Sequence, residues 1–577
     1  MRRRTLLRQL AEGLALLAGH QACRAAGLPA AAPTTMPQPL PKPLAPASEL
    51  LAQAGPPATN DAGALALDCD LAAPPLPLRH PWRHCVGSCH APLALRADWQ
   101  QQLARARREL GFRHVRFHGL LSDDMGTLIT QDDRFLFSFF NIDRVFDFLL
   151  SIGMRPVVEL SFMPWNLASG NETVFRYRGN VTPPRRMADW TLLVTTLVGH
   201  WVERYGVDEV AQWPLEVWNE PNLVFFWTGS QQQYFELYEA TWRAVKSVSP
   251  RLQVGGPATA ANGWLPEFMA WTAAHACAPD FVSTHYYPTD AFGAVDTDTV
   301  AQLAHAPLGV MRERALEARA AAGAKPLYYT EWNITSNPRD PLHDGPFCAA
   351  LAARYLLDVD ATVDGYSWWT FSDIFEENYF PSTPYHGGFG LLNLYGVPKP
   401  VYRGFELVAR LGTRHWPVAT SHPTVAAWVG SADAGGDGSA AGVDLRGDMS
   451  ADKGVGKSED GSVDGAATAV LLVNVAPPRH PIATELVTLR LAGTRGRRPR
   501  AAQVWRVDDA HANPRAAWER MGRPEYPHPH QVAALEAASA PLPEPLAVTG
   551  DATHARFTLA LPANAMALVR IEWERPA

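Results

Sequence analysis

From residue 85 onward, short apolar runs alternate with longer segments whose apolar residues return every three or four positions. A continuous apolar run reads as a strand buried on both faces, and the longer period reads as an amphipathic helix. The runs lie at 85–88, 114–118, 156–162, 215–219, 253–258, 281–287, 327–333 and 365–371. Two intervening helices stand out. Residues 99–110 place Leu103, Ala106 and Leu110 on one stripe, and 190–205 place Leu193, Leu197 and Trp201 on another. Eight strand–helix repeats in roughly 330 residues predict an α/β fold, a closed (β/α)8 TIM barrel over 85–412. Gly412 marks its end.

The pattern then changes. Strand-like runs appear at 425–429, 469–473, 485–491, 502–507, 555–561 and 567–571 without helices between them, which predicts a C-terminal β-sandwich over 413–577. A Gly/Asp/Ser/Ala tract at 430–465 holds almost no large apolar residue and reads as a disordered insertion in a hairpin loop. Within 61–84, residues 64–70 read as a strand expected to pair into that sandwich.

Composition narrows the function classes. The chain of 577 residues is 47% hydrophobic and 19% charged with a formal net charge of −7, so no basic excess points to nucleic acid or an anionic membrane. Six scattered cysteines make no disulfide framework. Cys85 and Cys89 could form half of a metal site, but no Cys/His pair at zinc-like spacing completes it. Neither a metal nor another cofactor is expected. The 19 tryptophans are the outlier, consistent with a site that stacks on sugar rings.

Residues 1–60 read as an export leader followed by a Pro/Ala-rich linker. The start, Met1-Arg2-Arg3-Arg4-Thr5-Leu6-Leu7-Arg8, precedes an apolar run at 14–18 and resembles a bacterial twin-arginine leader. Glu12 and His20 interrupt it. A periplasmic or secreted protein is therefore expected, with a basic tail on a cytoplasmic protein as the alternative. No window reaches the ~18–20 apolar residues of a membrane span. Nothing in the sequence sets the oligomeric state, and a homo-oligomer stays open.

A barrel of this kind collects its chemistry at the carboxyl ends of its strands. Polar residues stand there: His118 after the second run, Asn219-Glu220 after the fourth, His285-Tyr286-Tyr287 after the sixth. Glu331-Trp332-Asn333 ends the seventh, and Trp368-Trp369 ends the eighth with Asp373, Glu376 and Glu377 beyond. Pro221 cannot continue a ladder, so it stops the fourth strand and leaves Glu220 at its end. Apolar Trp218 and Trp227 nearby would raise the pKa of that carboxyl, as a general acid requires. Two glutamates on opposite walls of a barrel mouth are the minimal equipment for cleaving a glycosidic bond, by retention or inversion according to their separation.

The text around these residues resembles glycoside hydrolase family 39 from about Leu65 to Gly412. It includes Arg116-Phe117-His118-Gly119, Glu216-Val217-Trp218-Asn219-Glu220-Pro221-Asn222-Leu223, Tyr329-Thr330-Glu331-Trp332-Asn333, Trp369-Thr370-Phe371-Ser372-Asp373-Ile374-Phe375-Glu376-Glu377 and His386-Gly387-Gly388-Phe389-Gly390-Leu391. The resemblance implies a retaining enzyme with Glu220 as acid/base and Glu331 as a low-pKa nucleophile served by Tyr287. It further implies that Asn219 bonds the sugar 2-hydroxyl and that His118 and His285 contact hydroxyls or orient the glutamates. Trp369 would floor the ring, and Glu376 and Glu377 would accept from its hydroxyls. Acidic Glu376 and Glu377 would repel a uronate, so a neutral sugar is favoured over iduronate. The expected partner is a carbohydrate, and the leading activity is release of β-linked xylose. Alternatives are another family-39 sugar (iduronide, arabinoside or exopolysaccharide), a non-catalytic carbohydrate-binding protein, and a metal hydrolase using His118, Asp123 and Asp124.

Overall fold

The computed structural model describes residues 63–132, 134–289, 298–432 and 467–574. The predicted leader and linker, and all but the first three residues of the 430–465 tract, lie outside the described residues.

Eight parallel strands close into a ring in chain order, with helices outside, so the molecule is a (β/α)8 barrel. They are β1 (Cys85–His90), β2 (His114–His118), β3 (Arg155–Leu160), β4 (Pro214–Val217), β5 (Gln253–Thr259), β6 (Phe281–His285), β7 (Leu327–Trp332) and β8 (Gly365–Trp368). Closure comes where Trp368 on β8 pairs with Val86 on β1. Gly87 beside that seam has to be glycine, because a Cβ there would sit 2.4 Å from the Trp369 ring. The predicted helices are present as Ala97–Leu110 and Met187–Tyr205, with their predicted stripes buried.

Two C-terminal sheets follow. A four-stranded sheet pairs Leu65–Asp70 in parallel with Glu485–Ala492, which pairs antiparallel with His554–Leu561. A seven-stranded sheet has Ala467–Asn474 and Ala565–Trp573 near its centre. Alternation explains their packing. On Ala467–Asn474, Val470 and Leu472 enter the core between the sheets, whereas Ala469, Leu471 and Val473 face the other way. There they join the barrel core beside helix Pro346–Asp358, so this strand is buried throughout. Its unbroken apolar text reflects burial on both faces.

One expectation fails here. The C-terminal part carries two helices, Pro514–Arg520 and Pro529–Ser539, between strands read as consecutive. Each begins on a proline, whose fixed φ suits a helix's first turn, and Asn513 caps the first by accepting from the Ala516 amide at 3.2 Å. With few large apolar residues they lack the periodic stripe that announced the barrel helices. They pack Trp518 and Leu535 against Tyr385 and Val397 of the segments following β8. No helix among the described residues is long and apolar enough to cross a membrane.

Candidate active site

Strand β4 ends at Val217, two residues before the predicted 219, because Trp218 turns left-handed (φ 73°) ahead of the proline. Glu220 is left-handed as well (φ 43°), a conformation costly for residues with side chains and concentrated at functional sites. The Glu220 amide donates to the Ala258 carbonyl at 2.8 Å, which ties the turn to β5. Trp218 and Trp227 are buried against each other, 5.1 Å between centroids, behind the cavity rather than in it.

A hydrogen-bond chain fixes the surroundings of the Glu220 carboxyl. Thr330 donates its single hydroxyl proton to Glu216 at 2.7 Å, so its oxygen can only accept from His285 Nε2 at 3.1 Å. Burial, then the charges of Arg116 and His118, hold the His285 pKa well below its ordinary value, so the ring is neutral. With its proton on Nε2, Nδ1 is an acceptor facing Glu220 Oε1 at 2.9 Å. That contact is a hydrogen bond when Glu220 carries a proton.

Glu331, at the end of β7, meets the opposite chemistry. Arg116 donates to its Oε1 at 2.7 Å and Tyr287 donates to its Oε2 at 3.1 Å. Burial raises the Glu331 pKa while Arg116 and His118 pull it down, and the net is upward, contrary to the low value expected from sequence. Burial also keeps the Tyr287 phenol protonated, well above its usual range, so it stays a donor. Arg116 is wholly enclosed. It also meets Glu216 Oε2 at 2.5 Å, Glu159 Oε2 at 2.7 Å and Asn219 Oδ1 at 2.9 Å. Burial opposes its charge, but Glu159, Glu216 and Glu331 hold the guanidinium protonated. A guanidinium with that much countercharge is a fixed cation under the site.

The cavity over these groups has a volume of about 450 Å³. His118, Asn219, Glu220, Tyr287, Glu331, Trp369 and Glu377 all reach it. His118 bonds Glu159 at 2.8 Å through Nδ1 and stands 3.6 Å from both Glu331 and Glu377 through Nε2. Its ring lies 4.7 Å from Trp369. Glu377 Oε1 has no hydrogen-bond partner among the described residues. Burial, then the charges of Glu331, Glu220 and Glu159, push the Glu377 carboxyl well above its ordinary pKa. His285 is fully buried behind the glutamates and does not line the cavity, so of its two expected roles the geometry leaves orientation. Glu376 stays outside. Its carboxylate faces Arg96 at 3.6 Å and its amide donates to Cys89 Sγ at 3.3 Å.

The sequence reading passed over Arg116, Glu159 and Glu216 as functional groups. Each is a lone charge inside an apolar strand run, a signal available in the sequence, since a charge there has to be paired. Phe175 and Asn378 of the lining come from loops with no periodic signal.

Glu220, His285 and Glu331 each offer a ligand atom within 4.8 Å of the others, a spacing a metal ion could bridge. Arg116 already occupies Glu331, and its charge opposes a second cation beside it. His118, Asp123 and Asp124 do not converge: His118 bonds Glu159, and Asp124 pairs with His90 at 3.1 Å. Cys85 and Cys89 are free and buried.

Known proteins resemble this chain in sequence and fold. The model of glycosyl hydrolases family 39 matches residues 67–553. A β-xylosidase of Caldicellulosiruptor saccharolyticus is 42% identical over 464 residues, covering 79% of this chain and 88% of that protein. The crystal structure of the GH39 enzyme of Xanthomonas axonopodis pv. citri superposes with a TM-score of 0.73 at 30% identity, covering 89% of this chain and 98% of that one. A monomeric β-xylosidase of Caulobacter crescentus gives 0.72 at 31%, covering 88% and 99%. The chain belongs to glycosyl hydrolases family 39.

Proposed function

We propose that the chain is a retaining, exo-acting β-xylosidase in which Glu331 is the nucleophile and Glu220 the acid/base. The observation that carries the reading is the pair itself. An oxygen of Glu220 and one of Glu331 lie within 4.8 Å of each other, which supports the close carboxyl spacing of a retaining pair, roughly 5–5.5 Å, over the roughly 6.5–9.5 Å of an inverting one. Glu331 attacks the anomeric carbon while Glu220 protonates the departing oxygen, and a glycosyl ester on Glu331 forms. Glu220, now a carboxylate, takes a proton from water that displaces the ester. Asn219, pinned by Arg116, faces the cavity as a donor for the 2-hydroxyl.

The charge of the pocket supports a neutral sugar. None of the described lining residues is Arg or Lys, whereas Glu220, Glu331 and Glu377 line it, so a uronate carboxylate finds no cation. Xylose is favoured by the β-xylosidase relative that aligns over most of both chains. The leader-like start supports export, which fractionation of the native host would test.

Aryl β-xyloside, α-arabinoside, β-glucoside and α-iduronide assayed side by side test the reading. The expected result is a kcat/KM on the xyloside higher than on any other, by about 10-fold or more, the scale of one misfitted ring substituent. Preference for the iduronide would sink it.

A further inference from the structure

One wall of the catalytic cavity takes no part in the chemistry above. At about 450 Å³ the cavity lies in the range of sites that enclose ligands larger than a single pentose. Strand order sorts its lining into two arcs. Between β4, which delivers Glu220, and β7, which delivers Glu331, β5 and β6 form a short arc and β8, β1, β2 and β3 a long one. His118, Trp369 and Glu377, the groups expected around a sugar ring, belong to the long arc. The short arc contributes Ala260 and Ala261 after β5 and Tyr286, Pro288 and Thr289 after β6.

The short arc adjoins the acid, and its backbone is held in an unfavourable shape. The Glu220 amide donates to the Ala258 carbonyl at 2.8 Å. Asn222 grips the next turn: its Oδ1 accepts from the Ala260 amide and its Nδ2 donates to the Ala260 carbonyl, each at 2.9 Å. Ala258 (φ 52°), Ala261 (φ 53°), Asn262 (φ 57°) and Trp264 (φ 60°) are all left-handed. Residues with side chains stay in that region only where their surroundings impose it, and such residues cluster at functional sites. Here the Thr284 hydroxyl donates to the Thr259 carbonyl at 2.9 Å, and Asn262 Nδ2 donates to the Arg314 carbonyl at 2.8 Å. Asn222 and these bonds are what position the wall.

The reaction gives this wall a task. A general acid stands at the oxygen joining the two halves of its substrate, so the departing half lies beyond Glu220, away from the groups that hold the first ring. That side is the short arc. None of its described lining residues is charged, and the alanine methyls, Pro288 and the Tyr286 ring give it apolar surface. Such a surface suits the face of an uncharged ring. We propose that the short arc is the leaving-group wall of the cavity, that it receives the neutral second ring of an oligosaccharide, and that Ala261 sets the room this ring has. The proposal rests on Glu220 as the acid and adds which residues meet the departing half.

Ala261 is exposed, and histidine is among the side chains that most readily accept a left-handed backbone, so Ala261→His adds a ring to the wall and keeps its conformation. The full chain is assayed on xylobiose and on β-xylosyl fluoride. Both give the same xylosyl ester on Glu331. One releases xylose, which takes a proton from Glu220, and the other releases fluoride, which needs no wall. Effects on the first ring therefore cancel in the ratio of the two kcat/KM values. Ala261→His is expected to lower the xylobiose-to-fluoride ratio by about tenfold or more, the scale of one misfitted substituent. An unchanged or raised ratio overturns the leaving-group wall. A wild-type chain that cleaves neither substrate overturns the β-xylosidase reading instead. The ratio is then read on the disaccharide and the fluoride of whichever sugar the aryl glycoside panel prefers, and a chain inactive on every sugar overturns both.

Discussion

The ends of β4 and β7 carry the same residue type in opposed surroundings. Glu331 receives a permanent cation, Arg116, and a phenol donor, Tyr287. Glu220 faces a neutral imidazole whose available nitrogen is an acceptor. With carboxylate oxygens within 4.8 Å, two charges would repel by about 3 kcal/mol or more even at an effective dielectric near 20. One proton has to stay, and the donors decide where. The neighbours favour it on Glu220, since His285 offers an acceptor to the protonated form while Arg116 and Tyr287 donate to Glu331. The proposed acid and the proposed nucleophile are thus distinguished by neighbours on β2 and β6, not by their own strands.

Replacing each glutamate breaks the comparison most directly. Glu331→Ala removes the proposed nucleophile, and turnover of an aryl xyloside is expected to fall by on the order of 10⁵–10⁶-fold. Azide, small enough for the vacated space, should restore activity and yield the α-azide by one inversion. Near-normal activity without azide would show that Glu331 is not the nucleophile. Glu220→Ala should cost about 10²–10⁴-fold on substrates with poor leaving groups and much less in the first step on activated ones. Its azide product should be the β-azide, formed on the ester still carried by Glu331. Nuclear magnetic resonance of the two azides reads the stereochemistry. The same anomer from both variants would contradict the division of labour.

The barrel, its strand order and the glutamate pair were legible because eight strands buried on both faces leave uninterrupted apolar runs, and polar residues close those runs. The support for the pair was half legible. Arg116 and Glu216 stand as charges in apolar text, but that they meet at 2.5 Å depends on ring closure, which no local pattern encodes. Neighbouring Glu376 and Glu377 were not separable: both follow β8, and only the backbone path turns Glu377 inward and Glu376 toward Arg96. The helices at Pro514–Arg520 and Pro529–Ser539 were missed because their order comes from caps and from packing on Tyr385, with little amphipathic period.

Glu377 supplies a third environment and the smallest predicted effect. It has neither the donors of Glu331 nor an acceptor placed as His285 is for Glu220. Burial and the neighbouring carboxylates alone raise its pKa well above the ordinary value. The folded state therefore holds this proton more tightly than the unfolded chain. Its stabilising contribution is complete below the unfolded carboxyl pKa, about 4.3, and is lost as pH rises through the folded value. Glu377→Gln keeps the shape and removes the ionisation. Urea unfolding at a pH near 4 should leave the variant close to the wild type. At a pH above the folded value the variant should be more stable by about 1.4 kcal/mol for each unit of the upward shift. A variant less stable at high pH, or a difference that does not change with pH, would mean that Glu377 is ionised at no cost. Its charge would then have to be balanced by Arg116 or His118, and the site would hold one proton fewer than the two glutamate environments imply.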